Sequence, residues 1–236
     1  MAATLLAAMC HDFKHNGYNN LYHINDKSNI AITYNDISVL ENYHVAESFK
    51  VMMKEDNNLL CKLNLHQWRH VRRRMIDCIL YTDMANHAKH FSNLKTKMET
   101  YDIKKGENLD KMIVIDNNAK TYENQQLILG MCLHSADISN PAKPADINSR
   151  WIDMLFIEFF NQGDAEKIKS LPVSMLCDRD TTNINKSQIA FIQFVVAPTY
   201  ETMINFMPKI APYYDTIQKN LKRFESLVTE DEERKK

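Results

Sequence analysis

Three features of the sequence predict an all-α fold. Only four Gly and six Pro punctuate the 236 residues, few for the many turns of a sheet protein. No run of alternating apolar and polar residues is long enough to argue for a half-buried strand. Apolar residues recur instead at spacings of three and four along most of the chain, the period of a helix with one buried face. Hydrophobic residues at 44% and charged residues at 25% are ordinary for a globular protein. The net charge of −1 gives no basic field for nucleic acid and no polybasic signal for membrane insertion. The five Cys, at positions 10, 61, 78, 132 and 177, show no Cys-x-x-Cys spacing. Such scatter fits reduced thiols, so a cytoplasmic location is expected.

The elements follow in order. Residues 1–10 form an apolar run without a basic leader, shorter than the roughly 20 residues of a membrane span, and are expected as a core helix. Ser38-Val-Leu-Glu41 has the form of a capping box that opens a helix through Phe49 and Met53. Leu65, Trp68, Val71, Met75, Ile79 and Leu80 mark a long amphipathic helix expected to run to about His90. Tyr122 to Ala136 reads as a further helix leading into Asp137. Asn140-Pro141 and Lys143-Pro144 break it, and the next begins near Ala145 with Trp151, Leu155 and Phe159 on it. Residues 171–185 read as a loop, followed by helices near 186–197 and after Pro208. Residues 229–236 are charged and expected to fray. Without repeats or a linker, residues 1–228 are expected to form a single domain.

Two constellations carry chemistry. His11-Asp12 closes the first apolar run, placing an imidazole and a carboxylate where both can reach one cation. Asp137, from another helix, supplies a third donor. Nitrogen with oxygen suits Zn²⁺, and Asp12 can bridge to a harder Mg²⁺ or Mn²⁺. By itself a helix-end His-Asp pair is equally a cap or an ion pair. Gln188 and Phe191 stand three apart on one helix, where an amide can match a purine edge and a ring can stack on it. The same spacing also serves two core positions.

Six ordered blocks surround these residues: His11–Gly17, Tyr34–Asn42, Thr82–Met84, His134–Pro141, Glu158–Asp164 and Lys186–Phe191. From about residue 1 to 225 the chain resembles the catalytic domain of the class I cyclic nucleotide phosphodiesterases, which carry an HD-type metal site. The resemblance implies a compact, single-domain multi-helix bundle. It implies hydrolysis of a 3′,5′-cyclic nucleotide to the 5′-monophosphate in cyclic nucleotide signalling. Two divalent ions are implied, Zn²⁺ with Mg²⁺ or Mn²⁺. His11, Asp12 and Asp137 take the metal positions, with Asp137 also on the substrate side. His15, Glu41, Thr82 and Asp83 hold metal-bound waters and orient the ligands. Gln188 and Phe191 hold the base, Leu155 covers its other face, and Asn140 lies near base and phosphate. His134 has no metal role in this pattern.

Three positions depart from the family: Asn16 for a common Pro, Tyr43 for a common His, and Ala190 for the usual Gly. A rotatable amide at Gln188 suits cyclic AMP or cyclic GMP, and Asn140 leans the expectation to cyclic AMP. The family also carries an upstream His-x-x-x-His, which supplies the general acid and one more metal ligand. No His precedes His11 here, so the chain is expected to lack the family's N-terminal helices. The alternative is a phosphodiesterase-like binding or scaffold protein without turnover. A third class, an HD-type phosphohydrolase of linear nucleotides, would not require Gln188 and Phe191. Regulatory domains and protein partners are not readable.

Overall fold

The computed structural model describes residues 2–104, 107–113 and 119–234. Met1, Lys235 and Lys236, named in the sequence expectations, lie outside the described residues. Among the described residues there is no β-strand. The described residues form twelve α-helices, in order: α1 Ala2–Cys10, α2 Asn20–Asn25, α3 Asn29–Tyr34, α4 Val39–Met52, α5 Leu65–Leu80, α6 His87–Thr100, α7 Leu109–Ile113, α8 Ala119–Asp137, α9 Ala145–Ile168, α10 Ile184–Phe191, α11 Ala197–Phe206 and α12 Ala211–Arg234. No helix among them is long and apolar enough to cross a membrane.

The chain divides into two compact units, one of residues 1–94 with 115–134 and one of residues 95–114 with 135–236. In the first, α1 packs on α5 and α4. Ala3 and Ala7 are buried with Val45, Phe49, Met52, Met75, Cys78, Ile79 and Leu133. Two alanines one turn apart let the backbone of α1 approach closely, so α1 buries a small-residue face while Leu5 and Met9 stay exposed. The core of the second unit gathers Ile138, Ile152, Phe156, Ile192, Val196, Ile217 and Phe224. Asn220 ties α12 to the Pro-rich break by donating to the carbonyls of Pro141 at 2.8 Å and Lys143 at 2.9 Å.

Several elements differ from expectation for local reasons. The helix expected from Leu65 to about His90 stops at Leu80. Thr82 Oγ1 donates to the Ile79 carbonyl at 2.8 Å, and the Asp83 carboxylate accepts from Ala85 N at 2.9 Å, so one helix is closed and a new turn opened. The capping box lies at its start, where Asn64 and Gln67 exchange side-chain bonds with each other's backbone N–H. Ser38 makes no such box: it sits in the left-handed region at φ 42°, and its hydroxyl donates to Asp83 at 2.6 Å. Residues 229–234, expected to fray, continue α12. Lys186 to Glu232 at 2.8 Å and Asn185 to Asp231 at 3.4 Å fasten that end. The short helices α2 and α3 carry no apolar period; Asn19 and Ser28 cap them, accepting from Tyr22 N and Ala31 N.

Candidate active site

In the first unit the chain leaves α1 through a tight turn that presents His11 and Asp12. His11 Nδ1 lies 2.8 Å from the Ala8 carbonyl. A carbonyl only accepts, so Nδ1 carries a proton, and Nε2 faces Asp12 Oδ2 at 3.3 Å. A proton on Nε2, or a cation shared by the two atoms, would satisfy both. His44, buried on α4, repeats the arrangement: Nδ1 donates to the Phe13 carbonyl at 2.8 Å, and Nε2 stands 3.9 Å from Asp12 Oδ1. The Asp12 carboxylate, 62% exposed, is held below the usual carboxylate range, chiefly by its bond with His11 and further by the charges of His11, His15 and His44, against partial burial.

His15 and Glu41 stand around this pair. The ring of His15 stacks on that of His44 with centroids 5.6 Å apart. Its Nδ1 accepts from Gly17 N at 3.0 Å, in a turn that needs Gly17 at φ 81°. Burial pushes the Glu41 carboxyl up; its bond from Asn20 Nδ2 at 2.9 Å works the other way, and the charges of Asp83 and Asp12 add to the rise. The other oxygen-bearing end of Asn20 accepts from Leu40 N at 2.8 Å, so one amide fixes α2 to the start of α4. Asp83 is buried and takes three donors: Ser38 Oγ at 2.6 Å, Ala85 N at 2.9 Å and Asn86 Nδ2 at 3.1 Å. Thr82 is buried too, but its hydroxyl is used on the Ile79 carbonyl. His134, fully buried, faces a ring nitrogen of His87 at 2.8 Å.

His44 is absent from the expected site. It follows Glu41 by three residues on one helical face, and that spacing was the available signal. Burial, its largest influence, lowers the imidazole from its ordinary value, although the Phe13 carbonyl and Asp12 favour the charged form. Burial therefore favours a neutral ring able to act as an acceptor.

The remaining candidates belong to the second unit. Asp137 ends α8 and is exposed. Asn140 begins the following short turn, where its amide nitrogen reaches the Asn148 carbonyl at 3.5 Å and its Oδ1 is buried without a protein donor. On α9, Phe156 points into the core while neighbouring Leu155 remains 38% exposed. On α10, Gln188 is buried and Phe191 packs at the edge of the core. Past Phe191 the helix widens into a π turn over Ile192–Val196, which leaves Phe194 exposed while Ile192 and Val196 are buried.

The model of the 3′5′-cyclic nucleotide phosphodiesterase family matches residues 1–217. A 3′,5′-cyclic-AMP phosphodiesterase, isoform F, of Drosophila melanogaster is 34% identical over 229 residues, covering 97% of this chain and 33% of that protein. The 3′,5′-cyclic-AMP phosphodiesterase 4C of Rattus norvegicus is 37% identical over 227 residues, covering 96% of this chain and 41% of that protein. The chain thus spans well under half the length of these relatives. The crystal structure of the phosphodiesterase domain of Salpingoeca rosetta rhodopsin phosphodiesterase matches with a TM-score of 0.85 at 34% identity, over 99% of this chain and 68% of that one. On this evidence the chain belongs to the 3′5′-cyclic nucleotide phosphodiesterase family.

Proposed function

We propose that the protein hydrolyses a 3′,5′-cyclic nucleotide to the 5′-monophosphate in a divalent-metal-dependent reaction, with cyclic AMP preferred over cyclic GMP. Residues 1–228 are catalytic-domain sequence in this reading. The observation that carries it is the facing of His11 Nε2 and Asp12 Oδ2 at 3.3 Å, with the ring's other nitrogen committed to Ala8. A backbone carbonyl on Nδ1 is the usual orienting partner of a metal-binding histidine. Neutral imidazole with carboxylate suits Zn²⁺, and a shared carboxylate suits Mg²⁺ or Mn²⁺ beside it. His11, Asp12 and Asp137 would hold the first ion, and Asp12 would also serve the second. Bound there, such ions make water a stronger acid and offset charge on phosphoryl oxygens.

The protein's own groups have separate tasks. His15, Glu41, Thr82 and Asp83 hold water and keep the ligands oriented. Asp12, kept ionised by its histidines, offers negative charge where a cation is wanted. Gln188 pairs with the base edge, Phe191 and Leu155 enclose its faces, and Asn140 lies near base and phosphate. The names of the relatives support cyclic AMP. No residue of this chain is assigned to protonate the departing 3′ oxygen. The scattered thiols support a cytoplasmic setting.

The test is hydrolysis of cyclic AMP and cyclic GMP by the natural protein before chelation, after it, and after return of Zn²⁺ with Mg²⁺. Loss on chelation and recovery on return are expected, with higher kcat/KM for cyclic AMP. Turnover indifferent to chelation would overturn the metal role, and cyclic nucleotide binding without turnover would support a binding protein instead.

A further inference from the structure

Glu166, on the inner face of α9, is fully buried and takes no part in the chemistry above. Its carboxylate accepts from neutral donors: Gln162 Nε2 at 2.9 Å, Ser174 N at 2.7 Å and Ser174 Oγ at 2.6 Å. Its backbone carbonyl also accepts from Leu171 N at 2.9 Å. Three of the four donors thus come from the segment that follows α9. A buried carboxylate is costly unless each lone pair is used, so the segment is held in one conformation. One turn earlier, Gly163 lies so close to this segment that an added Cβ would stand 1.9 Å from the Cys177 carbonyl oxygen.

From this anchor an unbroken series of bonds leads to α10. Cys177 N donates to the Ser174 carbonyl at 3.0 Å, and Thr182 N to the Asp178 carbonyl at 3.0 Å. Lys167 grips Asp178 at 2.7 Å and Asp180 at 3.0 Å, and Arg179 pairs with Asp164, so the exposed edge is fastened to α9 as well. Asn183 then caps α10, its side chain accepting from Lys186 N at 2.9 Å. Gln188 follows one turn later.

We propose that Glu166 is a positioning residue for base recognition: it anchors residues 171–183 on α9 and thereby fixes where α10 begins and where Gln188 stands. The exposed ion pairs contribute little each, whereas the buried carboxylate determines the path. The role in base recognition rests on the function proposed above; the anchoring itself does not.

The experiment combines hydrogen exchange on the full chain with kinetics on the natural protein, for Glu166→Ala, Glu166→Gln and Ser174→Ala. In Glu166→Ala, exchange over 171–183 and the first turn of α10 is expected to quicken by about tenfold or more. The KM for cyclic AMP should rise about tenfold, while kcat/KM for the base-free diester bis(4-nitrophenyl) phosphate changes less than about twofold. Glu166→Gln should restore most of both. Ser174→Ala, which keeps its backbone N–H, should move in the same direction by less. Unchanged exchange in Glu166→Ala would overturn the inference whatever the activity, and equal losses on both substrates would overturn the link to the base. If the unsubstituted protein hydrolyses neither substrate, the proposed function fails together with that link, and the anchor is then judged on exchange alone.

Discussion

In the first unit the distinctive side chains are ionisable: His11, Asp12, His15 and Asp83 stand on turns, with Glu41 and His44 on α4. In the second they are mostly amide or apolar groups within or beside helices: Asn140, Leu155, Gln188 and Phe191, with Asp137 as the exposed exception. The first set is defined by charge, and several of its members disturb one another's protonation. The second set is defined by shape and by which polar atom lacks a donor, as at Asn140. The difference suggests a division of labour, with reaction chemistry on the ionisable groups and substrate choice on the others.

Asp137 tests that division most severely, because it is an ionisable residue among the second set. If it serves the metal, Asp137→Ala in the natural protein lowers hydrolysis of cyclic AMP and of a base-free diester alike, by at least about 100-fold. A selective loss on cyclic AMP would move Asp137 to the substrate side.

Close backbone approach offers a second comparison. An added Cβ at Gly130 would meet the Tyr81 ring at 2.4 Å, whereas at Gly163 it would meet a main-chain carbonyl at 1.9 Å. A ring can shift; the carbonyl belongs to the segment anchored by Glu166. Gly163→Ala should therefore cost about 3 kcal/mol or more, and Gly130→Ala about 1–3 kcal/mol, in denaturant unfolding. The reverse order would show that the 171–183 segment moves more readily than the Tyr81 ring.

Asp83→Ala removes the acceptor for three donors in the first unit. The expected loss is about 2–3 kcal/mol, measured in the same way. A change below about 0.5 kcal/mol would mean that Ser38 and Asn86 find water instead.

A pH dependence is shared by the two units. Burial pushes the Cys132 thiol of the first and the Cys177 thiol of the second up to about 11. The folded state then keeps a proton that the unfolded chain gives up near the ordinary thiol value of 9.0. Stability from this source is complete below pH 9 and declines as pH rises toward 11, by at most about 1.4 kcal/mol per pH unit for each thiol. Urea midpoints at pH 8, 9, 10 and 11 check this, and replacing either Cys with Ser should flatten the curve.

Long helices with an unbroken apolar period were readable in the sequence, as at Leu65–Leu80 and from Ala145. Their ends were not, because the stop after Leu80 depends on what the side chains of Thr82 and Asp83 bond to. Ser38 shows the same limit: Ser-x-x-Glu is a local signal, and a long-range acceptor, Asp83, captured the hydroxyl. His11 and Asp12 stand out as an adjacent pair, but by itself such a pair is also a cap or an ion pair, and the metal assignment rests on the resemblance carried by the six ordered blocks. His44 was harder to find, since a histidine three residues after Glu41 looks like any other until its nitrogens are seen bonded. Glu166 lay hidden for the opposite reason: in sequence it is one more acid on an amphipathic helix, and only full burial reveals it.

The division of labour is tested most directly by measuring kcat/KM of His11→Ala and Gln188→Ala, in the natural protein, on cyclic AMP and on bis(4-nitrophenyl) phosphate. The account predicts that His11→Ala loses both activities together, by at least about 100-fold. Gln188→Ala should lose about 10- to 100-fold on cyclic AMP while keeping the base-free diester within about twofold. Equal losses in Gln188→Ala, or a His11→Ala protein that still cleaves the base-free diester at the original rate, would contradict it.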